Sequence, residues 1–248
     1  MAPIDASHPP ANRLLPALPP RSLERLVPAP RPVALLMRRS LHQSDVPVDT
    51  VYFPECGWVS MLAVLEDGNA AEVGLIGSEG LVGLPVALGA DRDDLEAMVQ
   101  SPGTAYSLPS EVLRPAIEED PPLRQVLMRY VLALHAQVAR TGACNGRHHT
   151  DQRLARWLLM AHDRAHGDEF AMTHEFMALM LGARRAGVTV AAGTLQRAGL
   201  IRYERGRIVI TDRPGLEGAA CECYGISRRA AQRLFADDGG RGEPPRRC

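Results

Sequence analysis

Residues 172–201, MTHEFMALMLGARRAGVTVAAGTLQRAGLI, predict two short helices separated by a tight turn. Thr173 can cap the first helix, and Glu175 follows in its first turn, where the helix dipole favours an acid. Gly182 interrupts the pattern as a helix-ending glycine does, and Gly199 ends the second helix. The buried faces are predicted from apolar residues at three- and four-residue spacing: Phe176, Leu179 and Met180, then Val188, Ala192 and Leu195.

Two short helices joined by a glycine-containing turn form a helix-turn-helix, whose second helix enters the major groove of DNA. Arg184 and Arg185 open the second helix. An arginine at that position can donate two hydrogen bonds to O6 and N7 of guanine. We therefore predict double-stranded DNA as the partner of this segment. The competing interpretation is a small helical subdomain whose arginines form a solvated face.

A basic hairpin is predicted directly after the second helix. Apolar residues on both sides of a turn at residues 204–206 have the pattern of two short strands. A hairpin in this position is the wing of a winged helix-turn-helix, which contacts phosphates. The DNA-contacting residues predicted for the whole unit are Arg184, Arg185, Val188, Thr189, Arg197, Arg202, Arg205 and Arg207.

Charge is distributed unevenly along the 248 residues, although the net charge is only -1. All 28 basic residues are arginine. The net charge is +4 over residues 1–43, -13 over residues 44–120 and +8 over residues 121–248. An acidic middle and a basic C-terminal half indicate a sensor or scaffold joined to a domain that binds anions.

Length and composition favour two ordinary domains with packed cores, since apolar residues make up 46% of the chain. The sequence contains no run of about 18 apolar residues and no signal peptide pattern, so we expect a cytoplasmic protein without a membrane span.

The sequence also lacks a metalloprotease motif, a phosphate-binding loop and a nucleophile elbow. We therefore expect the protein not to be an enzyme.

The cysteines do not form a recognisable framework, because their number is odd and their spacing irregular: Cys56, Cys144, Cys221, Cys223 and Cys248. Cys221 and Cys223, one residue apart, supply at most half of a metal site, and we expect them to be free thiols. His148 and His149 cannot both face one point from a helix, and we interpret them as polar junction residues. We predict no metal site and no other cofactor.

Residues 48–110 contain short strand-like runs separated by turns, which indicates a small barrel or jelly roll. The runs start at Val48 and continue in residues 58–65 and 72–76, and residues 99–108 are predicted to form a further pair of strands. Asp67 and Gly68 lie at the centre of a predicted hairpin turn.

One long amphipathic helix of about 20 residues is predicted to begin at Pro121. Its apolar stripe consists of Leu123, Leu127, Tyr130, Leu134 and Val138. This stripe can pack on its copy in a second chain or on the barrel of its own chain. We favour the homodimer, because a helix-turn-helix gains affinity and register by binding two half-sites.

The order of acidic barrel, long helix and winged helix-turn-helix resembles the Crp/Fnr family of transcription regulators over roughly residues 12 to 236. The resemblance is most specific in residues 181–185 and 198–201. It places the guanine-contacting arginine of the family at Arg185 and puts Arg184 at the turn, near phosphate. Two further positions that the family uses, Ala186 and Val190, are nonpolar here. The operator should therefore differ from that of the archetype.

The resemblance implies an α+β fold in three parts. Residues 13–120 would form a double-stranded β-helix (jelly roll) like a cyclic-nucleotide-binding domain, 121–146 a dimerisation helix and 147–236 the winged helix-turn-helix. Residues 1–12 and 237–248 would be disordered tails. The implied function is a homodimeric regulator of transcription that binds palindromic operators, with RNA polymerase as a further candidate partner.

The barrel departs from the family pattern where an effector would bind. In members that bind cyclic nucleotides, a loop glutamate holds the ribose, and an Arg-Ser or Arg-Thr pair holds the phosphate. Glu79 and Gly80 resemble the first part, but Leu95 and Glu96 take the place of the pair. An acid repels a phosphate, so we expect a degenerate sensor or one for an unknown ligand. The alternative is control by a cyclic nucleotide or dinucleotide, with Arg92 as the phosphate ligand.

Overall fold

A computed structural model describes residues 10–235 of the chain. The predicted tail at residues 237–248 and most of the one at residues 1–12 lie outside the described residues. Asn12 belongs to the predicted tail but is buried in the structure. Its side-chain amide donates to the carbonyl oxygens of Pro54 and Gly80 at 2.9 Å each. The segment that packs on the barrel therefore begins before residue 13.

The N-terminal part of the described chain is an antiparallel sheet accompanied by short helices. Its elements are α1 (Leu14–Ala17), α2 (Pro20–Arg25), β1 (Arg31–Leu35), β2 (Ser40–His42), β3 (Thr50–Val64), β4 (Ala70–Ile76), α3 (Leu84–Ala87), β5 (Leu95–Pro109) and α4 (Ser110–Glu119). The strand order is β1-β5-β3-β4, and β2 also pairs with β5. These strands form the predicted cyclic-nucleotide-binding-like barrel.

Two strands of 15 residues each, β3 and β5, form the centre of this sheet. They pair from Thr50 opposite Pro109 to Ala63 opposite Leu95. The prediction of two strands within residues 99–108 was wrong, because the turn-forming residues near Gly103 make a register shift instead of a reversal. At Gly57 φ is +75°, and a Cβ there would lie 2.4 Å from the carbonyl oxygen of Ser101, so only glycine fits.

The turn between β3 and β4 confirms the predicted hairpin. Leu65 and Asn69 close it, with the Leu65 nitrogen 2.7 Å from the Asn69 carbonyl oxygen. Gly68 has a φ of +81°, which glycine adopts at little cost, and the Asp67 carboxylate accepts from the Asn69 nitrogen at 2.9 Å.

The C-terminal part is helical with a small sheet. Its elements are α5 (Pro121–Arg147), α6 (Thr150–His162), β6 (Glu169–Ala171), α7 (His174–Leu181), α8 (Arg185–Arg197), β7 (Ile201–Glu204), β8 (Arg207–Ile210), α9 (Arg213–Ala219) and α10 (Cys223–Leu234). The predicted hairpin β7–β8 gains β6 as a third strand, in the order β6-β8-β7. No helix within residues 10–235 is long and apolar enough to cross a membrane.

The apolar stripe predicted as the dimer interface is instead buried within its own chain. The exposed fraction is at most 3% for Leu123, Leu127, Tyr130 and Leu134, which pack in the barrel core. The Tyr130 hydroxyl donates to the Leu81 carbonyl oxygen at 2.7 Å, and Val138 is half-buried. Assigning Leu123, Leu127, Tyr130 and Leu134 to dimerisation was therefore wrong, whereas the assignment of Val138 stays a prediction. Periodicity reveals that a helix face is buried, but it does not identify the surface that buries it.

The barrel and the winged helix share one hydrophobic cluster. Trp58, Leu62 and Leu75 of the barrel belong to the same cluster as the buried residues of α6, α7 and α8. Trp58 also contacts Phe170 of β6 edge to face, with ring centroids 5.8 Å apart. Apolar burial therefore holds the two parts of the chain together.

Candidate nucleic-acid interface

The helix-turn-helix is fixed at both ends of its first helix. The Thr173 hydroxyl accepts from the Phe176 nitrogen at 3.2 Å, as an N-cap does. Gly182 ends α7 in the left-handed conformation with φ +53°, and the Ala183 nitrogen donates to the Ala178 carbonyl oxygen at 3.0 Å. These local contacts set the angle at which α8 leaves the turn.

Helix α8 and Arg184, the residue that precedes it, present one face to solvent. Arg184, Arg185, Ala186 and Thr189 are exposed, and Val190 is 67% exposed. The opposite face is buried against the rest of the domain and consists of Val188, Ala191, Ala192 and Leu195. The outward face can enter a groove without rearrangement of the helix.

Val188 is the one predicted DNA-contacting residue that is inaccessible, since its exposed fraction is 0%. It packs in the cluster shared with the barrel. Its assignment to DNA contact was therefore wrong: three residues after Arg185, it points to the core side of α8.

Thr189 is exposed, but its hydroxyl already has partners. It donates to the Arg185 carbonyl oxygen at 3.0 Å and lies 3.1 Å from the Nδ1 atom of His174. The His174 ring stacks on Tyr203 of the wing, with centroids 4.2 Å apart. Burial, with a smaller contribution from the Arg185 charge, lowers the pKa of His174. His174 therefore joins α7, α8 and the wing, a role that sequence reasoning missed.

The wing presents arginines around a tight turn. Arg205 and Gly206 form the turn with φ values of +49° and +76°. The Arg205 side chain is 91% exposed, and Arg202 is also exposed. Arg207 donates to the Glu169 carboxylate of β6, which offsets part of its charge. Arg197, at the end of α8, donates to the Thr194 hydroxyl at 3.2 Å.

The predicted ribose ligand, Glu79, is paired inside the protein. Its Oε1 accepts from Nε and Nη2 of Arg164 at 3.0 and 2.6 Å. The two side chains are only 13% and 9% exposed. Because Arg164 follows α6, this buried ion pair connects the barrel to the DNA-binding domain. Neighbouring Gly80 lies tightly against Tyr130, since a Cβ there would be 2.8 Å from the tyrosine ring.

Arg92, the other predicted effector ligand, lies at the surface and not beside Glu79. Its Nη2 is 3.1 Å from Asp91 Oδ2, and its side chain is 45% exposed. Leu95 and Glu96 border a cavity of only about 20 Å³, in which neither Glu79 nor Arg92 takes part. Pockets for small ligands have volumes of roughly 300–1,000 Å³. The structure does not bring the predicted effector residues together.

Glu72 forms a second buried polar link between the two parts. Its carboxylate accepts from the Trp157 indole nitrogen at 2.7 Å and from the Ser60 hydroxyl at 2.5 Å. Burial raises the pKa of Glu72 to about 7, against the opposing effect of these hydrogen bonds.

The structure also groups residues that the sequence left separate. Cys144 and His148, at the end of α5, lie beside Cys221 and Cys223, at the start of α10. All three cysteines are buried and free. The sequence contained a signal for this grouping, because Cys144 and His148 are four residues apart and so lie on one face of a helix.

An exposed second helix, an arginine-bearing wing and a jelly-roll barrel together have the architecture of a transcription regulator with a winged helix-turn-helix. Comparison with known proteins confirms the helix-turn-helix. Residues 152–219 match the Crp-like helix-turn-helix domain family. No curated protein matches the chain.

Solved structures show the same fold over most of the chain. FixK2 of Bradyrhizobium japonicum is 18% identical with a TM-score of 0.67, over 78% of this chain and 98% of its own. A Crp/Fnr-family regulator of Thermus thermophilus is 26% identical with a TM-score of 0.62, over 77% and 98%. The c-di-GMP-responsive regulator CLP of Xanthomonas campestris is 19% identical with a TM-score of 0.57, over 77% and 98%. The chain thus has the fold of Crp/Fnr-family transcription regulators and carries a Crp-like helix-turn-helix domain.

Proposed function

We propose that this protein is a sequence-specific DNA-binding regulator of transcription that acts in the cytoplasm and not as an enzyme. The observation that carries the proposal is the accessible surface formed by Arg184, the N-cap of α8, and by Arg185, the first residue of α8, which is flanked by the exposed Arg205 of the wing. Arg185 suits a guanine edge, and the arginines around it suit phosphates.

Selection of bound sites from a random DNA pool tests this function. Replacing Arg185 with Ala should cost about 1–3 kcal/mol at one base pair and relax the sequence preference there. Replacing Arg205 with Ala is the matched control. This variant should bind all sequences more weakly, and the number of counterions released from DNA on binding, measured from the salt dependence of the affinity, should fall by about one. An unchanged preference in the Arg185→Ala protein would show that α8 does not contact bases as proposed.

We infer a homodimer formed by the face of α5 that is not packed on the barrel. Leu132 is 67% exposed and Met128 is 37% exposed. They belong to a row of uncharged positions with alternating three- and four-residue spacing, as in a coiled-coil seam: Gln125, Met128, Leu132, His135, Ala139, Gly142 and Gly146. Such a seam would place two α8 helices on two half-sites.

Replacing Leu132 with Asp should convert the dimer to monomers in sedimentation velocity experiments, because it puts two like charges at the seam. Replacing Leu134 with Ala is the control, since Leu134 is buried in its own barrel. It should lower stability by about 2–5 kcal/mol and leave the folded protein dimeric. A dimer that survives Leu132→Asp would place the interface elsewhere.

We propose that the barrel does not bind cyclic AMP in the family's usual manner. The 20 Å³ cavity and the pairing of Glu79 with Arg164 both support this proposal. The alternative is a cyclic dinucleotide, since a cavity of about 360 Å³ beside Glu79 is also lined by arginines, among them Arg13 and Arg213. We also propose RNA polymerase as a candidate partner of this regulator.

Calorimetric titration with cyclic AMP, cyclic GMP and cyclic di-GMP separates these alternatives. We expect no stoichiometric heat with the two mononucleotides. A stoichiometric, submicromolar interaction with cyclic AMP would contradict the proposal, and one with cyclic di-GMP would favour the alternative.

A further inference from the structure

Four side chains with metal-binding atoms converge where α5 meets α10. The sulfurs of Cys144 and Cys221 are 3.5 Å apart, and the sulfur of Cys223 is 3.7 Å from Nδ1 of His148. All four ligand atoms lie within 4.8 Å of one another. A tetrahedral zinc ion with bonds of about 2.3 Å to sulfur and 2.0–2.1 Å to nitrogen has ligand separations of about 3.6–3.8 Å. The observed arrangement needs only small shifts of these side chains to reach that geometry.

The backbone presents these ligands in two pairs. Cys144 and His148 are one helical turn apart at the end of α5, where the His148 nitrogen donates to the Cys144 carbonyl oxygen at 3.0 Å. Cys221 and Cys223 lie on either side of one residue, and Cys223 is the first residue of the 12-residue helix α10. Thiolates are stabilised near a helix N-terminus.

The imidazole of His148 is oriented by a carboxylate. Its Nε2 lies 3.4 Å from the Glu222 carboxylate, while its Nδ1 faces the Cys223 sulfur. A metal-bound histidine usually donates its other ring N–H to a carboxylate, which fixes the tautomer that leaves the ligating nitrogen free. Glu222 is placed for this role.

Burial and charge also suit a metal ion. The three cysteines are at most 5% exposed and form a small cluster apart from the two main cores. Two buried arginines, Arg153 and Arg156, interact electrostatically with Cys144. A zinc ion with three thiolates and a neutral imidazole carries a net charge of -1, which a buried guanidinium can offset.

We propose that Cys144, His148, Cys221 and Cys223 bind one zinc ion per chain. Binding converts three thiols to thiolates and releases their three protons to solvent. Three sulfurs and one nitrogen in a closed, buried set are the ligands of a structural zinc site. An iron–sulfur cluster requires its ligands to reach different iron atoms, whereas these ligand atoms converge on a single point.

The ion would stabilise the junction between the long helix and the DNA-binding domain. α10 packs along α5, and only two residues separate α5 from α6. From α6, Arg153 donates to the Leu181 carbonyl oxygen at the end of α7. A zinc ion would thus fix the orientation of the helix-turn-helix relative to α5.

The test uses the full chain, purified without a metal-binding tag under reducing conditions. Mass spectrometry should find one zinc per chain. After removal of zinc, Co²⁺ should give the visible bands of a tetrahedral thiolate complex, and added Zn²⁺ should abolish them. Metal-free protein that binds neither ion would overturn the proposal, as would a native disulfide between Cys144 and Cys221.

Variants then identify the ligands. His148→Ala should lose the tetrahedral Co²⁺ spectrum, whereas His166→Ala, which changes an exposed histidine, should retain it. Glu222→Gln should keep one ion per chain but bind it 10- to 100-fold more weakly. A Co²⁺ spectrum that His148→Ala leaves unchanged would contradict the assigned ligand set. Metal binding is measured without DNA, so a failure here is distinct from a failure of DNA binding.

Discussion

Glu72 allows a quantitative test of the contact between the barrel and the DNA-binding domain. Its carboxylate is fully buried between Ser60 of β3 and Trp157 of α6. Burial raises its pKa from 4.5 to about 7. Glu72→Gln removes the charge but keeps an oxygen that can accept from Trp157. The variant therefore isolates the cost of burying the ionised carboxylate.

The sign of the effect follows from proton binding in the two states. Between pH 4.5 and about 7 the folded chain holds a proton at Glu72 that the unfolded chain releases. Stability must therefore fall as the pH rises through this window. The gap between the two pKa values corresponds to about 3 kcal/mol. Glu72→Gln should be more stable than the wild type by up to this amount at pH 8, and should lose that advantage below pH 4.5.

Urea unfolding followed by tryptophan fluorescence measures this difference. The chain has two tryptophans, Trp58 and Trp157, and both are buried in the cluster shared by the barrel and α6. Glu66→Gln, which changes an exposed carboxylate of the β3–β4 turn, is the control and should keep the wild-type pH profile. The reasoning is refuted if Glu72→Gln shows the same decline in stability between pH 5 and pH 8 as the wild type.

Two further substitutions test the contacts that position the DNA-binding domain. Arg164→Met leaves Glu79 buried without its partner and should cost about 3–5 kcal/mol of stability, measured by calorimetry; adding Glu79→Gln should restore most of the loss, and no recovery would argue against the ion pair. Thr173→Ala removes the N-cap of α7 and should cost about 1 kcal/mol in chemical denaturation, whereas Thr173→Ser should cost little. Equal losses in the two Thr173 variants would show that the hydroxyl contributes nothing.

The helix-turn-helix could be predicted from sequence because its signals are local. Thr173 and Gly182 act within a few residues of their own positions, and the turn at Arg205 and Gly206 is equally short-range. The central strands could not be delimited in this way. β3 and β5 continue through residues typical of turns because each strand is paired along its length with the other. Strand length in a sheet depends on the partner strand, which lies far away in sequence.

In the candidate sites, too, local features could be predicted and contacts between residues distant in sequence could not. The exposed arginines of α8 were predictable, but the burial of Val188 depends on which way α8 packs. His174 contacts Thr189 and Tyr203 only after folding. The cysteine cluster joins positions 77 residues apart, Cys144 and Cys221, so each pair alone looked like half a site. Functional sites assembled from distant residues are visible in sequence only as fragments.

The exposure of α8 limits how a signal could act on this molecule. The barrel and the winged helix share a hydrophobic cluster and two buried polar links, through Glu72 and Glu79, yet the side of α8 that carries Arg185 is already exposed. A signal therefore does not act by exposing α8, because α8 is accessible without it. In the proposed homodimer, a signal would instead act on the separation or angle of the two α8 helices, because binding to two half-sites depends on that geometry. In that dimer the change would arise at the junction of α5 with α6 and α10, because α10 packs on both α5 and α6, and α6 packs on α8.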